Sequence, residues 1–334
     1  MAAKVFIDGA AGTTGLEIRE RLAGRSDISF VKLSDTQRKD AKARKEALNE
    51  SDLVILCLPD DAARESVSLI ENNSTRVIDA STAHRTARGW TYGFPELEED
   101  QRGKIANSAR VSNPGCWPTG FLGLMRPLTR AGIVPKDFPT TVTGVSGYSG
   151  GGKSMIEEFE AKDSPCYVAT VVRTYALTLA HKHAPEMREH SGLAHSPVFS
   201  PNVGRFYRGM IVEVPLQLWA LPGKPAVFEL HRAIAESYRE EPLIEVAPFD
   251  GASEAIKAMR VGVSPEPPTI TVPQTVDAEA LKLTNGMKLY VFGNDKTQQA
   301  RLIAVFDNLG KGASGAAVQN MNIMLGLPET TGLV

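Results

Sequence analysis

The run Ser112-Asn113-Pro114-Gly115-Cys116-Trp117-Pro118-Thr119-Gly120 sets one cysteine among two prolines and several turn-forming residues. Such a run cannot be the middle of a helix or of a central strand. It predicts a tight turn that opens onto the apolar residues 121–125, with Cys116 at or near a helix N-terminus. Backbone N–H groups and the helix dipole there favour the thiolate, which makes a cysteine nucleophilic near neutral pH. A buried cysteine packing as a small hydrophobe is the plainer alternative.

A cysteine nucleophile needs a partner that takes and returns protons, and histidine titrates in the right range. His181-Lys182-His183-Ala184-Pro185-Glu186 supplies two histidines and a carboxylate three residues after the second. Glu186 is spaced to orient or charge His183, although a solvated pair or two ligands of an incomplete metal site fit the same residues. Arg85, closing Ser81-Thr82-Ala83-His84-Arg85, has the planar fork that suits carboxylate or phosphate; an exposed arginine without a role fits as well. Gly147-Tyr148-Ser149-Gly150-Gly151-Gly152-Lys153-Ser154 matches the phosphate-cradling pattern GxxxxGK[ST]. A true NTPase loop follows the first strand of its own nucleotide sheet, a place already held by another glycine turn near residue 9. The same geometry serves any anion or oxyanion.

These residues need elements to position them. Lys4-Val5-Phe6-Ile7-Asp8 reads as a strand, Gly9-Ala10-Ala11-Gly12-Thr13-Thr14-Gly15 as a turn, and Leu16, Ile18 and Leu22 as the apolar side of a helix. That order is where a dinucleotide fold places its pyrophosphate loop, here as GxxGxxG rather than GxGxxG. A second strand over 29–33 ends in conflicting signals: Asp35 is placed to hold a free ribose 2′-OH, while Arg38 and Lys39 suit a 2′-phosphate. The apolar run 51–58, a helix over 62–70, a strand at 77–79 and another ending at Ser112 imply a parallel sheet with helices on both faces. Its ligand rim holds the loops 58–61 and 80–85. Beyond Cys116 the chain predicts a helix to about Ala131, strands over 140–145, 209–216, 269–272 and 288–293, and a helix over 233–239. Together these make a mixed sheet. Residues 307–320 are rich in glycine and alanine and continue as a helix over 321–325, so they can approach another backbone or a flat ring closely.

Length and composition bound the class. The 334 residues suit two domains, and 42% hydrophobic with 23% charged residues describes an ordinary soluble protein. A net charge of -2 gives no general attraction to nucleic acid or anionic membrane, and the longest apolar run is too short to span a bilayer. Three scattered cysteines, Cys57, Cys116 and Cys166, make neither a disulfide framework nor a CxxC metal site. With no secretory signal in view, a cytoplasmic location is expected.

Residues 9–15, 112–119, 181–186 and 310–320 together resemble the N-acetyl-gamma-glutamyl-phosphate reductases of arginine biosynthesis, across nearly the whole chain. Residues 52–63, 146–153 and Tyr92-Gly93-Phe94-Pro95-Glu96-Leu97 look most like the second, bacterial type. The resemblance implies an α/β fold: an N-terminal Rossmann doubly wound parallel sheet and a C-terminal α+β catalytic domain with a mixed sheet. The expected divisions are residues 1–116, 117–300 for catalysis and subunit contacts, and 301–334 as a helix returning to the first domain. It assigns the nucleophile to Cys116, acid/base work to His183 with Glu186 and neighbouring His181, and substrate contacts to Arg85, Ser149 and Asn113. The cofactor contacts it implies, with those read from the turn and second strand, are Gly9, Gly12, Thr13, Thr14, Gly15, Ser34, Arg38, Leu58, Pro59, Gly150 and Asn320. The resemblance further implies NADPH as cofactor, a small acyl phosphate as substrate and a homodimer or homotetramer, and it implies no metal. Rivals from other classes are a P-loop NTPase, a cysteine hydrolase and a non-enzymatic Rossmann redox sensor; the nearest is aspartate-semialdehyde dehydrogenase.

Overall fold

The computed structural model describes residues 2–34, 36–249 and 275–333. Asp35 and the strand expected over 269–272 lie outside them. Six strands, β1 (Ala3–Asp8), β2 (Ile28–Val31), β3 (Leu53–Leu56), β4 (Arg76–Asp79), β5 (Thr91–Tyr92) and β6 (Arg110–Ser112), form one sheet in the order β2-β1-β3-β4-β6-β5. Every pairing in it is parallel.

The continuous apolar character of β3 follows from cover on both sides. Leu53 and Ile55 join Val5 and Ile7 in a core closed by Ile18 and Leu22, from α1 (Thr13–Arg21) and its end, and by Ile105 of α4 (Gln101–Asn107). Val54 and Leu56 join Phe6 beneath Ala47 and Leu48 of α2 (Ala41–Glu50) and Ala63 of α3 (Asp60–Ser68). The first of these cores also takes Ala317, Val318, Met321 and Met324 from a helix over Gly315–Met324 near the end of the chain. Each fully buried Val, Leu, Ile or Met contributes about 1.5–3 kcal/mol of transfer free energy.

The second sheet is mixed. Its strands are β7 (Thr141–Gly147), β8 (Val172–Thr174), β9 (Val198–Gly204), β10 (Met210–Gln217), β11 (Ile244–Val246), β12 (Met287–Asn294) and β13 (Gln299–Phe306), ordered β11-β12-β13-β10-β7-β9-β8. β7 with β9 and β11 with β12 are parallel, and the remaining neighbours antiparallel. The division expected at residue 300 falls inside β13, because pairing with β10 continues without a break from Gln299 to Phe306. Across this sheet lies α5 (Cys116–Arg130), whose Trp117, Phe121, Leu124 and Leu128 share a core with Val212, Val214, Leu289 and Phe306. Pro118 is tolerated in its first turn, where the missing N–H has no helical acceptor. Among the described residues, three further α-helices, α6 (Gly152–Glu160), α7 (Ala184–Ser191) and α8 (Val227–Ser237), precede the helix over Gly315–Met324, which is α9. No helix among the described residues is long and apolar enough to cross a membrane.

Candidate active site

β6 ends at Ser112 and delivers the proline turn to α5, which begins at Cys116 itself with an extended Gly115 as N-cap. The Thr119 hydroxyl donates to the Gly115 carbonyl at 2.9 Å and tightens this first turn. The helix head therefore stands where the sequence predicts it. Its expected consequence, a thiolate at neutral pH, does not follow: burial pushes the Cys116 thiol up to about 11, against the opposing pull of the Arg85 cation and the Trp117 N–H. The sulfur's residue keeps some surface open to the cavity, so solvent relieves part of that penalty.

The partner residues converge from both halves of the chain. A Cβ at Gly115 would stand 2.6 Å from both Arg85 Nη1 and His183 Nε2, so only a hydrogen fits beneath these two side chains. Burial, then the Arg85 cation, holds His183 well below the usual histidine range, and the same causes with Lys182 bring His181 to about 4. Near neutral pH Cys116 is thus a thiol and His183 an uncharged imidazole, and both line one cavity. His181 Nδ1 accepts from the His183 amide at 3.2 Å, while His183 Nδ1 is buried with no hydrogen-bond partner among the described residues.

The expected contact of Glu186 with His183 is replaced by another. Glu186 Oε1 accepts from the Tyr92 hydroxyl at 2.7 Å and the Gly115 amide at 2.8 Å, and Oε2 accepts from Arg85 Nη1 at 3.1 Å. Three donors take up the carboxylate. Arg85 also donates from Nε to the Asn113 carbonyl at 2.9 Å and from Nη2 to the Ala80 carbonyl at 3.1 Å. Opposite, a Cβ at Gly312 would come within 2.8 Å of the Cys116 Cβ, so the π-helical turn Gly310–Ser314 roofs the head of α5. The Asn113 side chain donates to the Ala313 carbonyl at 2.9 Å and anchors that roof.

A cavity of about 420 Å³ between the halves brings together Cys116, His181, His183, Arg85, Asn113, Ser149, Gly150, Thr13 and Thr14. The Ser149 hydroxyl accepts from Asn308 Nδ2 at 2.9 Å. Lys153, which a nucleotide-binding loop would turn toward phosphate, is exposed and outside this lining. A second cavity of about 710 Å³ along β1 and β2 is lined by Gly9, Leu58 and Arg38, with Arg19, Lys32 and Arg44 against the carboxylates of Asp8 and Glu20; Arg44 is paired with Asp8 at 3.0 Å. Gly9 has φ +87°, and a Cβ there would stand 2.3 Å from the Cys57 carbonyl, so glycine alone lets the turn hug the end of β3. A third hollow of about 410 Å³ takes Pro59; it shares Leu58 with the second cavity and Arg85 with the first.

Gly12, Gly15, Ser34, Asn320 and Glu186 line none of these hollows. Gly15 packs α1 onto the turn, since its Cβ would press to 2.7 Å on the Gly9 carbonyl. Gly12 closes the same turn, its amide donating to Gly9 at 3.0 Å. Ser34 is exposed, its amide donating to Gln37 Oε1 at 3.0 Å. Asn320 is fully buried and donates to the Gly93 carbonyl at 2.8 Å and to Asn113 Oδ1 at 3.1 Å, a packing role in place of the expected cofactor contact. Sequence reasoning did not reach Tyr175, and it quoted Lys182 and Gly312 without a role; all three line the cavity that holds Cys116. It quoted Tyr92 in a motif without a role.

A dinucleotide turn and a cysteine helix meeting at one cavity define a class of enzyme, the semialdehyde dehydrogenases. Residues 4–105 match the model described as "Semialdehyde dehydrogenase, NAD binding domain" and residues 116–308 the one described as "Semialdehyde dehydrogenase, dimerisation domain". The chain belongs to this family, and within it to the N-acetyl-gamma-glutamyl-phosphate reductases. It is 52% identical over 333 residues to "N-acetyl-gamma-glutamyl-phosphate reductase 2" of Nostoc sp., covering 99% of each chain. It is 54% identical over 329 residues to the N-acetyl-gamma-glutamyl-phosphate reductase of Chelativorans sp., covering 97% of this chain and 99% of the other. Among solved structures, aspartate semialdehyde dehydrogenase II from Vibrio cholerae superposes with a TM-score of 0.70 at 13% identity, over 97% of this chain and 98% of that one. That likeness concerns the fold alone.

Proposed function

We propose that this protein reduces N-acetyl-L-glutamyl 5-phosphate to N-acetyl-L-glutamate 5-semialdehyde and phosphate, with NADPH, through a thioester on Cys116. The observation that carries the reading is the meeting of Arg85 and His183 Nε2 over Gly115, one residue before the cysteine. His183 Nε2 takes the thiol proton as Cys116 Sγ attacks the acyl carbon; the S–C bond forms, the C–O bond to phosphorus breaks, and phosphate leaves. The nicotinamide cofactor, when bound, supplies the hydride that reduces the thioester. The tetrahedral alkoxide so formed on Cys116 collapses: the carbonyl re-forms, the C–S bond breaks with its electron pair going to Sγ, and the thiolate takes back the proton held on His183 Nε2. Arg85, Ser149 and Asn113 hold the anionic ends of the substrate. An acyl phosphate is already activated, so positioning and oxyanion stabilisation are the main tasks left to the protein.

The cofactor fits the residues present: the Gly9 turn admits a close backbone, Thr13 and Thr14 open α1 toward the cavity, and four cations line the hollow beside β2. Arg38 among them supports a 2′-phosphate and so NADP(H). The matched model's description as a dimerisation domain supports a homodimer or homotetramer, and the biosynthetic role suits the cytoplasm. The test is phosphate dependence. Oxidation of N-acetylglutamate semialdehyde with NADP⁺ should stall in phosphate-free buffer and resume on addition of phosphate or arsenate. Multiple turnovers at the full rate without either anion would sink the acyl-phosphate assignment.

A further inference from the structure

Behind Arg85 stands a second layer of side chains to which the reaction so far gives no role. Tyr92, at the end of β5, is 4% exposed and hydrogen-bonds Glu186 Oε1 at 2.7 Å. Glu186 in turn holds Arg85 Nη1, from the loop after β4, and the Gly115 amide, at the head of α5. The other face of the arrangement is also fixed. The Tyr92 ring stacks on His190 with centroids 3.6 Å apart, and His190 Nε2 donates to the Arg85 carbonyl at 2.7 Å. One tyrosine thus braces Arg85 twice, at its guanidinium through Glu186 and at its main chain through His190.

We propose that the Tyr92 hydroxyl is a positioning group for the reaction, holding Glu186 so that the anion-binding Arg85 and the head of the Cys116 helix keep a fixed spacing. The inference rests on the reading of Arg85 as a substrate clamp. Without the phenol, Oε1 keeps only the Gly115 amide and Oε2 only Arg85, so the carboxylate is less tightly fixed, and a shift of about 1 Å in a positioning group can cost on the order of a hundredfold in rate. Burial and the Glu186 charge keep the phenol protonated, and therefore a donor, throughout the working range. Glu186 accordingly acts here through Arg85 and Gly115, and not by exchanging protons with His183.

The experiment is a double-mutant cycle with Tyr92→Phe and Arg85→Lys, assayed in the oxidative direction with KM measured separately for phosphate and for the semialdehyde. Tyr92→Phe keeps the ring, its volume and the His190 stack, so melting temperature and NADPH affinity should stay near the parent values. Arg85→Lys should raise KM for one of the two anions, and Tyr92→Phe should raise KM for that same anion by about tenfold, with kcat changed less than about threefold. In the Arg85→Lys background the added effect of Tyr92→Phe should shrink below about twofold. A KM unchanged by Tyr92→Phe, or an equal effect in both backgrounds, overturns the positioning role and leaves the clamp standing. If Arg85→Lys itself moves neither KM, the clamp reading fails and takes this inference with it.

Discussion

Two glycine-rich turns face each other across the cavity that holds Cys116, and they reverse what their letters suggest. Gly147 to Ser154 matches a phosphate-loop pattern completely, whereas Gly9 to Gly15 is a variant of its own pattern. The first turn follows β1, a central strand of an all-parallel sheet, and opens α1 at the sheet's carboxyl edge, where helix N-termini and small residues favour a pyrophosphate. The other follows β7, which lies between antiparallel β10 and parallel β9, and its lysine stays in solvent. What it lends to the cavity is Ser149 and Gly150. The lesson is that the strand beneath a turn, more than its glycine spacing, decides what the turn can hold.

The sharpest way to break this contrast is a methyl group on each turn. Gly9→Ala combines a positive φ with a Cβ 2.3 Å from a carbonyl, while Gly152 has φ +70° but nothing within 4 Å of its Cβ. A left-handed alanine alone costs about 1–2 kcal/mol of folding stability, which the free and bound states share, so Gly152→Ala should weaken NADPH binding by less than about threefold. Gly9→Ala should weaken it at least about fiftyfold, as titration of NADPH fluorescence would read. Similar losses in both would mean that the two turns serve the cofactor alike.

A smaller effect is expected at the far end of the first turn's cavity. Arg38→Ala should lower the ratio of NADPH to NADH efficiency by about tenfold, the worth of one charge-assisted contact to phosphate; an unchanged ratio removes Arg38 from the 2′-phosphate site. The smallest effect is on the second turn. Lys153→Ala should alter kcat/KM less than about twofold, as expected of an exposed side chain, whereas a nucleotide-binding loop would lose its function with that lysine.

Local signals were legible in the sequence because they act locally. The prolines and glycines around Cys116 forecast a helix head, and α5 begins on that residue. The apolar run over 51–58 forecast a doubly covered strand, and β3 is one. Parallel and mixed sheets followed from the rhythm of elements. What escaped depends on separation along the chain: Glu186 meets Tyr92 across 94 residues and Gly115 across 71, so no spacing argument could find its partners. The thiol's upward shift escaped for a related reason. A helix head can be read from four residues, but the burial that outweighs it comes from elements far apart in sequence. The small residues of 307–320 left close approach to a backbone and to a flat ring both open; α9 packs against the first sheet's core, and Asn320 donates to the Gly93 carbonyl.

That packing of α9 also governs the order in which the molecule can be made. Leu53, Ile55, Val5 and Ile7 lie on a face that α1 and α4 cover only in part, and the rest of the cover is Ala317, Val318, Met321 and Met324. Arg76 of β4 reaches the Met324 carbonyl, and Arg25 holds Asn322 at 2.8 Å. As the chain emerges from a ribosome, its nucleotide-binding half is the first to appear and among the last to close, waiting with an open apolar face for a helix that is translated some two hundred residues after the last of its own strands. The mixed-sheet half has its described strands in hand by Phe306, so synthesis supplies the last strand of the second sheet before the last cover of the first.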